Sequence, residues 1–121
     1  DDIGPPHRDC WFWDLNPYFP KPNFEFSRVK VWIPIYCENG LSGLALEPFS
    51  HKRFDLDYDS VYVDGKYKPK IQKDQEINLK LIKTNPGEAI LFHDKLIHCG
   101  MNKLGVTKTR VSVEFTLLIK I

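Results

Sequence analysis

The sequence predicts an all-β protein folded as a sandwich or barrel, with a jelly roll (a double-stranded β-helix) as the best-fitting arrangement. Three observations carry that expectation. Apolar, β-branched and aromatic residues recur in short runs, many with a period of two. Gly, Pro and Asn turn signals separate the runs. No amphipathic pattern is long enough to call a helix, and no internal repeat is visible. Many short strands joined in this way bury their apolar faces only by packing against one another.

The strands are read in chain order. "RVKVWIPIYCE", Arg28 to Glu38, is alternating and then almost continuously apolar, as a central strand should be. Asn39-Gly40 is a strong turn signal before a second strand, "GLALEP". The polar stretch that follows contains "SVYVDGKYKPKI", a hairpin turning at Asp64-Gly65 with Val61 and Val63 on one side and Tyr67 on the other. "LKLIK" precedes a Pro-Gly turn, "EAILFH" reads as a buried strand, and "KLIHCG" and "TRVSVEFTLLIK" supply two more. No domain boundary interrupts residues 1–121, which are read as a single domain with an insertion or lid at about 52–78.

Composition narrows the function classes. Hydrophobic content of 42% and aromatic content of 13% are those of a globular chain. The net charge is +1 and the basic residues are dispersed, so neither a nucleic-acid stripe nor a polybasic membrane patch is expected. No apolar run approaches bilayer length. Cys10, Cys37 and Cys99 form no CxxC pair and leave one over, which favours buried reduced thiols and a cytoplasmic setting.

One short motif carries chemistry. In "GPPHRDCWFW", Pro5 and Pro6 favour an extended entry. On a strand, His7 and Asp9 would then share one face with Arg8 turned away. An imidazole and a carboxylate so placed are two-thirds of a 2-His-1-carboxylate triad, which leaves metal positions open to reactants.

"GEAILFHDKLIHCGMNKLGVTKTRVSVEF", Gly87 to Phe115, resembles the closing motif of the iron(II)- and 2-oxoglutarate-dependent oxygenases, most closely the phytanoyl-CoA dioxygenase-like branch. The Gly87-Glu88 turn, Phe92, His98, Asn102 and Arg110 occupy the motif positions. "VKVWIPI" and "SGLALEPFSHK" are similar to the family's central strand and its Pro-Gly-Ser-His segment, with Phe49 in place of the usual glycine. The resemblance implies a jelly roll in which His7, Asp9 and His98 hold Fe(2+), with 2-oxoglutarate as cosubstrate, dioxygen as co-reactant and a small molecule as substrate. It also implies that Arg110 binds the far carboxylate of 2-oxoglutarate. A guanidinium offers the parallel donors a carboxylate needs, and Ser112, two residues on, shares its face.

Trp11, Trp13, Tyr18 and Trp32 are candidates for the substrate cavity, with Trp11 expected nearest the metal. His51 and His93 are expected in structural or surface roles. Asp55, Asp57 and Asp59 read as a solvated face, because the spacing does not fit a calcium loop. Two other classes stay open: a cupin-like metal-binding jelly roll without oxygenase activity, and a non-catalytic domain of the same fold. The first lacks the usual His-x-His pair and has no need of Arg110. Family members carry a strand and helices ahead of His-x-Asp, whereas six residues precede His7 here. The corresponding expectation is a fragment or an unusually short member with an exposed sheet edge.

Overall fold

The computed structural model describes residues 3–16, 25–72 and 74–121. The described chain is mostly β, in the order α1 (Asp9–Leu15), β1 (Phe26–Tyr36), β2 (Ser42–Leu46), a 3-10 turn (Ser50–Lys52), β3 (Tyr58–Val63), β4 (Lys66–Ile71), β5 (Lys80–Leu81), β6 (Ile90–His93), β7 (His98–Asn102) and β8 (Val111–Lys120). Two three-stranded antiparallel sheets, β6-β1-β8 and β5-β2-β7, do not close into a barrel, and β3-β4 forms a separate hairpin.

Register fixes which residues look inward. Lys30 pairs with Phe92 and Thr116, and Trp32 with Ile90 and Glu114, so these side chains share one face of the first sheet. In the second sheet, Leu44 opposite Gly100 and Leu46 opposite His98 form the matching face. Trp32, Phe92, Leu44 and Leu96 meet in one buried cluster, which joins the two sheets. A second cluster, Trp11, Leu56 and Ile97, lies under α1 and takes in Tyr58, Ile71, Ile77 and Leu79 at its margin. The described part of 52–78 is therefore anchored through Leu56, Tyr58, Ile71 and Ile77, while its tip, with Tyr62 against Tyr67, and side chains such as Phe54 stand in solvent.

The turns follow their sequence. Asp64 and Gly65 both take positive φ, 51° and 79°, as a two-residue hairpin of the right twist requires. Phe49 also adopts a left-handed conformation, φ 62°, although it carries a side chain. The backbone there demands the geometry that glycine adopts without cost.

The expectation of no helix is corrected by α1. His7 is extended and forms an isolated bridge with His98, but Asp9 is already the first residue of a helix. Pro5 and Pro6 carry the chain straight as far as the bridge. Beyond it, an acidic residue suits the first helical turn. Asn16, just ahead of Pro17, then ends the helix after seven residues. Two turns are too short for a period of 3.6 to show. No helix among the described residues is long and apolar enough to cross a membrane.

Candidate metal centre

Two segments far apart in sequence are joined at the backbone. His7 N–H donates to the His98 carbonyl and His98 N–H to the His7 carbonyl, both at 3.1 Å. The residues beside this bridge are tied to a common point. Arg8 turns away from the histidines and is buried, and its Nη2 donates to the Ser50 carbonyl at 2.6 Å and the Arg53 carbonyl at 2.8 Å. Ser50 has no exposed surface, and its Oγ accepts the Ile97 N–H at 2.8 Å. Ser50 thus holds both ligand-bearing segments. Cys10 N–H donates to the Asp94 carbonyl, which fixes the start of α1 and with it Asp9.

The ring tautomers follow from their partners. Nδ1 of His7 lies 2.8 Å from the Pro5 carbonyl, and Nδ1 of His98 lies 2.9 Å from the Leu96 carbonyl. A carbonyl only accepts, so each Nδ1 carries the proton and each Nε2 presents a lone pair. Donation from the far ring nitrogen to a carbonyl is how metal-binding histidines are usually held. His7 Nε2 is 3.4 Å from Asp9 Oδ1, and His98 Nε2 is 3.5 Å from Asp9 Oδ2. All three ligand atoms lie within 4.8 Å of one another, the one such group among the described residues. Neighbouring donors on a divalent ion at about 2.0–2.2 Å stand roughly 3.0–3.5 Å apart, so the two histidine–aspartate spacings suit a single ion.

Burial supplies an independent test of fit. His98 Nε2 is buried with no hydrogen-bond partner, and Asp9 Oδ2, also buried, faces the Lys30 ammonium at 3.3 Å. Leaving a buried nitrogen such as His98 Nε2 unsatisfied typically costs about 1–3 kcal/mol. A metal ion would satisfy it, and a set of two imidazoles and one carboxylate suits iron, zinc and other transition metals.

Titration follows the same geometry. Burial alone would lower the His7 pKa, but the Asp9 hydrogen bond, the Pro5 carbonyl and the Asp9 charge together raise it above 6.5. Burial dominates at His98, which is lowered despite Asp9 and further lowered by His7. Asp9 is itself held below its usual range: burial opposes ionisation, and the His7 bond, His98 and Lys30 outweigh it.

Arg110 precedes β8 and is half-buried; its Nη1 donates to Ser112 Oγ at 3.1 Å, and its guanidinium carbon lies 5.7 Å from the Trp32 ring centroid. Gly100 shares a face of β7 with His98, and a Cβ at Gly100 would stand 2.8 Å from Arg110 Nη2. The glycine leaves the room that the guanidinium fills. A cavity of about 350 Å³ opens over Arg110, lined in part by Asn102, Thr107, Thr109 and Lys108 and by no carboxylate. None of the three ligand residues lines it.

The tryptophans divide. Trp32 is inward and lies by Arg110. The expectation for Trp11 is corrected: its ring packs against Tyr58 in the second core cluster, and the aromatics in contact with the ligands include Phe12, 5.0 Å from the His7 ring, and Phe92, 4.6 Å from the His98 ring. A helix in place of a strand rotates residue 11 away from residue 7. Trp13 lies against the Arg28 guanidinium at 4.7 Å. Tyr18 lies outside the described residues. His93 is exposed and its Nδ1 accepts the Lys95 N–H at 3.1 Å, and His51 lies in the 3-10 turn with its ring 6.2 Å from that of His93. Asp55, Asp57 and Asp59 are exposed, with Asp55 ion-paired to Arg53. All three cysteines are free, and burial pushes the Cys10 thiol up to about 11, which leaves it unactivated.

Sequence reasoning missed Lys30, Glu114, Gly100, Ser50 and Phe12. One of these had a signal: Gly100 shares strand parity with His98. Comparison with protein-family models, curated proteins and solved structures finds no match to this chain.

Proposed function

We propose that this chain is an Fe(II)- and 2-oxoglutarate-dependent dioxygenase domain of the jelly-roll type that hydroxylates a small molecule. The observation that carries the reading is the convergence of His7, Asp9 and His98 on one point, together with Arg110 held by Ser112 at the entry to β8. Two opposed three-stranded antiparallel sheets support a jelly roll, and three free cysteines support a reducing, cytoplasmic setting.

When bound, iron with 2-oxoglutarate and dioxygen supplies the oxidising chemistry, with decarboxylation to succinate. The chain supplies position. His7, Asp9 and His98 hold the metal from one side. Arg110, fixed by Ser112 and backed by Gly100 and Trp32, receives the far carboxylate of the cosubstrate. Phe12 and Phe92 flank the histidine rings and exclude water. A cupin-like centre would use the same three ligands but gives the Arg110–Ser112 pair no task.

The test is turnover. With Fe(II), 2-oxoglutarate and oxygen the wild-type protein should release succinate, stimulated by its substrate, and His98→Ala should abolish release. A wild type that binds the metal yet never consumes 2-oxoglutarate across a broad metabolite panel would overturn the oxygenase reading.

A further inference from the structure

Lys30 is a cation buried beside a cation site. It is 8% exposed, and its Nζ lies 3.3 Å from Asp9 Oδ2 and 2.8 Å from Glu114 Oε1, and donates to Thr116 Oγ1 at 3.0 Å. Asp9 Oδ2 is also the oxygen that faces His98 Nε2. A divalent ion held by that oxygen, with a bond of about 2.0–2.2 Å, would stand no more than about 5.5 Å from the ammonium. Two cations would then share one carboxylate oxygen in a place where solvent screens little. Glu114 only partly offsets this, because its side chain is 37% exposed.

Lys30 has little room to escape. It sits on the inner face of a central strand, with β6 and β8 on either side, and Thr116 and Glu114 hold its head from the neighbouring strand. The repulsion is therefore relieved best by an incoming anion that touches both cations. We infer that Lys30 couples metal binding to an anionic co-ligand, weakening the hold on a bare divalent cation and tightening it on a cation chelated by a carboxylate. The ligand class is a keto acid or dicarboxylate that coordinates the metal while one oxygen reaches the ammonium. By linkage the effect is mutual: the metal and the anion each strengthen the other. The inference rests on the metal centre proposed above, and it makes Lys30 a positioning and binding residue for a species that arrives with, or just after, the ion.

Calorimetric titration with Mn²⁺, alone and with saturating 2-oxoglutarate, tests it without turnover. In the wild type 2-oxoglutarate should tighten Mn²⁺ strongly. Lys30→Gln and Lys30→Met should bind bare Mn²⁺ at least about tenfold more tightly and lose most of the tightening by 2-oxoglutarate, whereas Lys30→Arg keeps the wild-type pattern. Glu114→Gln, at a partly exposed site that tolerates change, should act oppositely, weakening bare Mn²⁺ and enlarging the effect of the anion. Lys30 variants that bind bare Mn²⁺ no more tightly, or that keep the full response to 2-oxoglutarate, would overturn the inference and leave the metal centre standing. A wild type that takes up no Mn²⁺ with or without 2-oxoglutarate would overturn both.

Discussion

The two faces of the β6-β1-β8 sheet are made from the same strands and share almost nothing else. Inward residues are committed one by one: Lys30 to Asp9 and Glu114, Trp32 to Arg110, Ser112 to Arg110, Phe92 to His98. Outward residues are mostly apolar, and along β8 Val113, Phe115, Leu117 and Ile119 lie substantially in solvent, as does Leu91 on β6. β8 is also an edge strand among the described residues, ten residues long. Specific polar placement has been spent on one side, while the other offers bare apolar surface and unpaired backbone groups. The contrast recurs at a single peptide bond, where Ser50 is wholly buried and Phe49 is 72% exposed.

The sharpest way to break this comparison is to truncate one residue from each face. Trp32→Ala should cost about 3–5 kcal/mol in chemical denaturation and loosen Arg110. Leu91→Thr, at a position 62% exposed, should change stability by less than about 1 kcal/mol and leave metal affinity unaltered. Equal costs would mean that the outer face is not the passive one.

Ser50 extends the comparison to the inward backbone. Ser50→Ala leaves the Ile97 N–H unpaired and should lower divalent-metal affinity about 10–100-fold, as loss of a supporting partner usually does. A merely structural serine would lower metal-free stability without that loss of affinity, so titration and denaturation must be read together.

The grouping of His7, Asp9 and His98 was anticipated in the sequence. His7 and Asp9 stood out as a His-x-Asp pair, and His98, Arg110 and Ser112 through the resemblance to the oxygenase closing motif. The hairpin at Asp64-Gly65 was legible because only certain residues take positive φ. Lys30 was not: in an alternating strand a lysine reads as solvated, and its burial depends on Glu114 and Asp9, 84 residues later and 21 earlier along the chain. Ser50 was hidden for the same reason, since its partners Arg8 and Ile97 are each more than forty residues away. Helix α1 was masked by brevity. Short motifs announce donors; the contacts that aim them are long-range.

A pH titration sharpens the contrast between the two inward histidines. The metal must displace the proton of His7, whose pKa is raised, whereas His98, whose pKa is lowered, is already neutral. Metal affinity should therefore be flat at alkaline pH and fall about tenfold per unit as pH drops through the His7 pKa, above 6.5. In His7→Gln that slope should move to lower pH.

The smallest effect is on the outward side. Phe49→Gly removes an exposed ring from a left-handed position and should stabilise the protein by about 0.5–1 kcal/mol without touching metal affinity. A loss of stability would show that the ring packs in a way its exposure conceals.

The most direct test of the central claim is anaerobic titration of the wild type and of His7→Ala, Asp9→Ala and His98→Ala with Fe(II) in the presence of 2-oxoglutarate, followed by visible absorption. One equivalent of iron giving a weak charge-transfer band in the wild type, with the band lost in all three variants, is the predicted result. A wild type that shows no band, or a band that survives removal of any one of the three side chains, would contradict it.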